Sequence, residues 1–534
     1  MMFNQLPKSW SVCLIGEAIL VNPRLDKREI DDGIEVSFVP MPAVSAETGE
    51  INVLENKLFA EVKKGYTPFI ERDVLFAKIT PCMENGKMAV VPKLKNNLGF
   101  GSTEFHVLRC PTDILPEYVY YFISSKWFRV EAEHNMTGAV GQRRVPTTFL
   151  ESTRLPVPPF NEQKRIVAKI EELFSELDNG ITALKTAREQ LKVYRQAILK
   201  HAFEGKLTAK WREENADKLE TPEQLLARIQ KERDARYQQQ LEEWKETVKK
   251  WEAEGKEGKK PKKPVICKPM PTISEDEINV LPRLPADWRY VRLAEISAIG
   301  SGMSVSQNRK LNNPVEVAYL RVANVQRGLL NLSEIKTMLV EQEALADLLL
   351  EKGDVLFNEG GDRDKLGRGW IWENQIESCI TQNHVFRATP IIKNEFHSKF
   401  ISHWGNSFGK DYFEKGGKQT TNLASINKTV LSNFPVPLPS FEEQHQIITI
   451  LDDAMSLMDA FDSEIKRGFQ RAEILRQSIL KKAFSGQLMK QDPNDEPASK
   501  LLVRIKAQEE SQKQPAKKTA TKGAQKKVSQ EAWN

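Results

Sequence analysis

Chemistry on nucleotides or nucleic acids leaves recognisable residue spacings, and this chain of 534 residues carries fragments of them. Val157-Pro158-Pro159-Phe160 has the outline of the Asp/Asn-Pro-Pro-aromatic motif of adenine methylation. Val157, however, has no polar atom to accept from an exocyclic amine, and the run reads better as a hinge. No G-x-x-x-x-G-K-[ST] loop occurs, and Gly405 to Lys410 spaces its glycines too closely to cradle a phosphate. The seven histidines include no H-E-x-x-H, and His397 and His403, six residues apart, fall on different helix faces. Asp73 with Glu84 or Lys87, and Asp354 with Glu359, are the candidates left for a dispersed carboxylate nuclease. Solvated turn residues are the plainer reading of both.

Composition narrows the classes further. With 40% hydrophobic and 28% charged residues, and a mean hydropathy of -0.48, the chain can bury cores and is not wholly disordered. Its length predicts about three to four folding units. The 78 Lys plus Arg against 73 Asp plus Glu leave a net charge of +5, so any polyanion must be met by local clusters. Cys13, Cys82, Cys110, Cys267 and Cys379 form no C-x-x-C pair, which fits a reducing cytoplasm rather than zinc or a disulfide framework. No apolar run approaches the roughly 18 residues a spanning helix needs, so a soluble chain with no membrane partner is expected.

The elements that would position such residues are written twice. Arg195 to Leu207 reads RQAILKHAFEGKL and Arg476 to Leu488 reads RQSILKKAFSGQL, nine identities in thirteen at an offset of 281. The same offset aligns Pro158, Phe160, Glu162, Gln163 and Ile166 with Pro439, Phe441, Glu443, Gln444 and Ile447. LPKSW at Leu6 matches LPADW at Leu284, and LLARI at Leu225 is echoed by LLVRI at Leu501. Residues 20–150 and 298–430 share little. Two similar frames therefore hold two different inserts.

After each Pro-rich hinge an amphipathic helix is predicted. Apolar or small residues recur from Ile166 through Ile198 at about 3.6 residues per step, and Gly205 is a plausible stop. About 40 residues, or about 60 Å, is too long for one small globule, so the two copies are expected to pair as an antiparallel coiled coil. Asp462 and Gly468 blur the second stripe. DVLFAKI at 73–79 and DVLFN at 354–358 read as strands, Glu359 to Asp362 as a turn, and Pro116 to Glu131 as a helix. The inserts are thus α+β. Predicted boundaries are a first globular domain at 1–155, a repeated helix at 156–210 and a charged helical extension with a basic linker at 211–283. A second globular domain follows at 284–433, a second helix at 434–490, and a charged, disordered tail at 491–534, whose stretch 511–530 has six lysines and no acid.

The paired hinges PVPPFNEQKRIV and PVPLPSFEEQHQII, the paired helix ends, the LPxxW openings and GDVLFNEGGDRDKLGRG at Gly353 together resemble the DNA-specificity subunits of type I restriction-modification systems. The resemblance implies two target-recognition domains, joined by long antiparallel coiled-coil helices in a pseudo-two-fold repeat, each reading half of a split asymmetric DNA site. It implies double-stranded DNA, two methyltransferase subunits and restriction/translocase subunits as partners. It also implies no catalytic residue, metal or cofactor on this chain, with S-adenosylmethionine, ATP and Mg2+ used by those partners. A self-sufficient nuclease or methylase, or a coiled-coil scaffold without a DNA role, are the rival readings.

Given DNA as target, Arg suits guanine and Asn or Gln suits adenine. Gln142, Arg143 and Arg144 in one glycine-rich loop, and Lys418, Gln419 and Asn422 in another, lie in comparable places before the two hinges. Lys78, Asn85 and Lys87, and Asn358, Arg363 and Arg368, are the next candidates. Ordinary surface turns are the alternative for each. In the extension, Trp244 and Trp251, seven residues apart on a charged helix, suggest either a spacer or a methyltransferase docking surface.

Overall fold

A computed structural model describes residues 6–52, 55–139, 141–256, 260–266, 269–305, 311–361, 365–419 and 424–513. The chain divides into two compact units, one of Met1–Lys185 with Lys466–Asn534 and the other Thr186–Ile465. Each unit contains one of the two dissimilar inserts, and the expected α+β class holds for both.

In the first unit two four-stranded sheets form the insert. One orders Leu20–Val21, Phe105–Arg109, Val74–Ala77 and Met88–Val90. The other orders Glu55–Leu58, Glu35–Val39, Gly99–Gly101 and Thr67–Phe69. Val74 to Ala77 is buried at every position, as a continuous apolar run in a central strand requires. The helix predicted from Pro116 is two helices, Pro116–Ser124 and Lys126–His134, because Ser125 between them is extended at φ -61°, ψ 142°.

The second unit builds its insert from smaller sheets. Val355–Asn358 and Ser297–Ser301 flank Val385–Pro390, while Lys336–Glu341 and Cys379–Thr381 flank Pro314–Leu320. The turn expected at Glu359 includes a two-residue strand, Gly360–Gly361.

Both long helices have 44 residues, Phe160–Phe203 and Phe441–Phe484, or about 66 Å each. Their registers run in opposite directions within each unit. In the first, Arg476 bonds Asp178 and Gly468 faces Leu184, where an added Cβ would come within 2.8 Å of Leu184 Cδ1. In the second, Arg188 pairs with Asp462 at 3.2 Å and Arg195 with Asp459 at 2.5 Å. The two residues that blur the second stripe are therefore contact residues: Gly468 permits close approach and Asp462 accepts an ion pair.

The repeated ends assemble the same joint in each unit. Gly205, at φ +66°, ends the first helix with Pro285 against it, and Gly486, at φ +72°, ends the second with Pro7 against it. A side chain there would collide with the proline ring, which accounts for both glycines and both prolines. Leu225 and Ile229 are buried in the second unit, and Leu501 and Ile505 in the first. This corrects the expectation of a disordered tail from 491. Ala498–Lys513 is a helix because its LLVRI stripe packs on the core. The lysines beyond Lys513 lie outside the described residues.

The aromatic pair of the extension is also less open than its spacing suggests. On the helix Pro222–Ala253, Trp244 donates Nε1 to Pro261 O at 3.0 Å, and Lys263 lies 6.0 Å from its ring. The basic linker folds back over the tryptophan.

Candidate nucleic-acid interface

The two predicted loops occupy one structural position, set by backbone bonds that recur at the repeat offset. In the first unit, Lys78 follows the strand Val74–Ala77, donates its amide to Glu104 O at 2.9 Å and accepts from Val145 at 2.9 Å. In the second, Glu359 follows Val355–Asn358, donates to His384 O at 2.9 Å and accepts from Ile426 at 2.8 Å. Each loop then closes against the segment leaving that strand. Thr80 donates to Arg143 O at 3.0 Å, and Ile79 bridges Arg144. Gly360 pairs with Ser425 and Gly361 with Ala424, while Lys418 and Gln419 form the outer strand against the same two residues.

In the first edge the cations are already matched. Arg144 holds Glu104 through two bonds of 2.9 and 2.7 Å, and also reaches Gln142 O at 3.2 Å. That hydrogen bond first, and the guanidinium charge, hold the Glu104 carboxyl below the carboxylate range. Burial lowers the Lys78 ammonium, opposed by Glu104 and reinforced by Arg144. Arg143 lies 3.5 Å from Glu84 and 3.7 Å from Glu133. A loop that reads as basic is thus locally neutral, with Gln142 exposed at its tip. Behind it, His106 is buried, bonding Val145 O through Nε2 at 2.8 Å, and burial lowers its imidazole.

The second edge carries the opposite charge order. Glu359 bonds His384 Nδ1 at 2.7 Å, and Asn383 lies 3.3 Å from His384 Nε2. Neither Glu104, Glu359 nor His384 was singled out as a reader from sequence. The repeat offset of 281 is the signal that could have done so, because it sets Glu359 opposite Lys78.

Two sequence candidates are removed by their surroundings. Asn358 is fully buried, its amide nitrogen donating to Val325 O at 2.8 Å and Val322 O at 3.3 Å. Lys87 reaches inward, donating to Met41 O and Val44 O at 3.1 Å each. A strand's last inward-facing position and a lysine beside two backbone carbonyls both serve the core. Asn85 is exposed on the turn closed by its own amide to Pro81 O. Arg368 is half-buried beside Asn358, accepting from its amide at 3.0 Å. Arg363 and Asn422 lie outside the described residues, and of Lys418 and Gln419 only the backbone is described.

The two aspartates considered for a nuclease are committed to the fold. Asp73 is gripped by Arg109 and Asp354 by Thr389. Among the described residues, no group of three or more His, Cys, Asp or Glu is placed to hold a metal ion, and no helix is long and apolar enough to cross a membrane. His397 is buried and His403 half-buried, and burial lowers each to about 4. His397 bonds Gln444 at 2.8 Å.

Comparison with known proteins gives this geometry its context. A family model described as "Type I restriction modification DNA specificity domain" matches residues 7–187 and 285–467. The EcoEI specificity subunit of Escherichia coli is 28% identical over 497 residues, covering 87% of this chain and 81% of that protein. The EcoAI specificity subunit, also of Escherichia coli, is 28% identical over 492 residues with the same coverage. Among solved structures, one described under complex assembly and conformational transition of the type I R-M system has a TM-score of 0.63 at 20% identity, covering 91% of this chain and all of that one. The HsdS subunit from Thermoanaerobacter tengcongensis gives 0.52 at 19%, with the same coverage. Both share this fold.

Proposed function

Because the chain belongs to the family of type I restriction modification DNA specificity domains, we propose that its two units each read one half of a split, asymmetric DNA site. The supporting observation is the pair of edges: one backbone arrangement, repeated at an offset of 281 and shifted by one residue at His384, presents Lys78, Glu104 and Arg144 in one unit and Glu359 and His384 in the other. A common frame with unlike side chains is what two non-identical half-sites require.

The side chains suit base edges. The fork with which Arg144 holds Glu104 has the geometry that reads guanine O6 and N7, and a carboxylate such as Glu104 or Glu359 accepts from cytosine N4. In the first unit, binding exchanges an internal ion pair for base contacts, so little net charge is spent and selectivity is gained. Gln142, Arg143, Asn85 and Lys78, with Lys418, Gln419, Asn422, Arg363 and Arg368, complete the proposed reading set.

This chain performs no chemistry in that scheme. It positions two methyltransferase subunits and the restriction/translocase subunits, in the cytoplasm beside host DNA. S-adenosylmethionine, ATP and Mg2+ act on those partners. Methylating an adenine within a duplex costs a few kcal/mol of base flipping, which a partner held over the right base can meet. Adding about four residues, or about 6 Å, to both long helices should lengthen the unread DNA spacer by one or two base pairs at roughly 3.4 Å each. Mapping methylated adenines with and without the insertions reads this out. An unchanged spacer refutes the helices as a ruler, and modification by the purified chain alone refutes a non-catalytic role.

A further inference from the structure

The two units bury the same aspartate at the same place and satisfy it differently. In the first, Asp73 is 1% exposed and Arg109 grips it through Nε and Nη2 at 2.9 and 2.7 Å. The preceding Arg72, at φ +66°, sends Nη2 to Glu117 at 2.8 Å, in the first turn of Pro116–Ser124. Asp354 is its counterpart at the repeat offset and is also 1% exposed.

The backbone around the two aspartates is the same. Asp73 Oδ2 accepts from Ile70 at 2.8 Å, and Asp354 Oδ2 from Glu351 at 2.9 Å. Val91 and Trp372, again 281 apart, donate to the two aspartate carbonyls at 2.8 Å. The ladders pair Val74 with Leu108 and Val355 with Ala388, so Thr389 stands where Arg109 does. Gly353, at φ +93°, stands where Arg72 does. Both arginines have been exchanged for small residues.

What remains beside a cavity is a buried carboxylate with no cation bonded to it; the Arg387 guanidinium acts on it only through space and is bonded instead to the carbonyls of Asp347, Leu348 and Leu349. Thr389 Oγ1 donates to Asp354 Oδ1 at 2.5 Å but brings no charge, and burial pushes the carboxyl up. Gly353, Trp372, Thr389, Asn394, Glu395 and Ser398 line a cavity of about 470 Å³. Glu395 is in the first turn of its helix, as Glu117 is in the first unit. Lys352 and Lys393 are at the same cavity, but Lys393 is bonded to Glu351, Glu395 is paired with Lys399 at 3.2 Å, and Glu373 is left to balance Lys352.

We propose that this cavity binds a guanidinium group, carried by free arginine or by an arginine of another polypeptide. The group takes the place that Arg72 and Arg109 fill in the first unit. Its N–H donates to Thr389 Oγ1, which relays the interaction to Asp354. The site is independent of the DNA-reading edges.

Thermal unfolding of the full chain tests this, with N-acetyl-L-arginine amide as the peptide-like probe, L-arginine as the free amino acid and N-acetyl-L-lysine amide as the control. The arginine amide should give a saturable rise of about 2 °C, and the lysine compound none. A response to the arginine amide alone assigns the site to a polypeptide side chain, and an equal response to L-arginine extends it to the free amino acid. Thr389→Arg should raise the melting temperature without ligand and abolish the response, by supplying the missing guanidinium from within. Thr389→Val keeps the cavity but removes the relay, and should weaken binding at least about tenfold, a loss of about 1.4 kcal/mol. No saturable shift in the natural chain, an equal shift with lysine, or a response that survives in Thr389→Val would overturn the proposal.

Discussion

The two units distribute charge over one shared frame in opposite ways. In the first, Asp73 has a guanidinium partner in Arg109, whereas Glu162, buried at the hinge, has neutral Trp10 and Gln491 beside it and the Arg165 charge, offset by Asp495, farther off, and burial raises its carboxyl. In the second, Asp354 is bonded only by neutral donors, Thr389 Oγ1 and the Glu351 amide, whereas the hinge Glu443 is bonded by Arg212 at 2.9 Å, Thr208 at 2.6 Å and Trp288 at 2.8 Å. The amide beside each hinge acid does not vary: Gln163 and Gln444 donate to Pro158 O and Pro439 O at 3.1 and 2.9 Å. Backbone satisfaction is the conserved part of the design, and the charge partner is exchangeable. A buried acid can be held by hydrogen bonds alone, at a cost that shows in its protonation.

The largest effect should come from removing a partner where one exists. Arg109→Thr copies the second unit's solution into the first without its other adjustments, and should cost about 3 kcal/mol by leaving Asp73 buried and unpaired. Urea unfolding measures it, and a loss below about 1 kcal/mol would mean that the two aspartate sites are energetically alike. Next come the reading edges. Glu359→Gln should change base preference in one half-site by about 1–3 kcal/mol and leave the other half unchanged. Competition binding with single-base variants of the site checks this, and equal changes in both halves would break the assignment of one edge to one half-site.

The smallest effect concerns pH. Asp354 has its folded-state carboxyl raised above the ordinary 3.8, so the native state holds its proton more tightly than the unfolded chain does. The associated stability is full below about that ordinary value and is lost as pH rises through the raised one. Asp354→Asn should therefore flatten the decline of second-unit stability above pH ~4, a change of at most about 1 kcal/mol per pH unit. Glu162→Gln should do the same in the first unit, starting from 4.5. An unaltered pH profile in both variants would show that hydrogen bonds fully offset the burial.

Much of the frame was legible in the sequence because its determinants are local or repeated. The periodicity from Ile166 to Ile198 depends on one helix face, and Gly205 and Gly486 mark stops that any left-handed helix end favours. The proposed reading edges are legible in backbone position but not in content. The two glycine-rich loops stand at comparable places before the hinges, yet Arg144 meets Glu104 forty residues away, and Lys87 finds the carbonyls of Met41 and Val44. Asn358 looked like a reader because Asn reads adenine, and only its strand position buries it. Trp244 looked exposed because the return of Pro261 over it lies beyond any helical spacing.

The sequence by itself determined that the chain is a duplicated frame, where its two long helices begin and end, and that the inserts differ. Those properties follow from linear offsets, apolar periodicity and backbone restrictions of proline and glycine. Tertiary structure alone decided which cations meet which carboxylates, which polar groups are withdrawn into the core, and where the second unit keeps a cavity in place of two arginines. Those outcomes depend on strand register, which brings together residues whose spacing along the chain carries no trace of their contact.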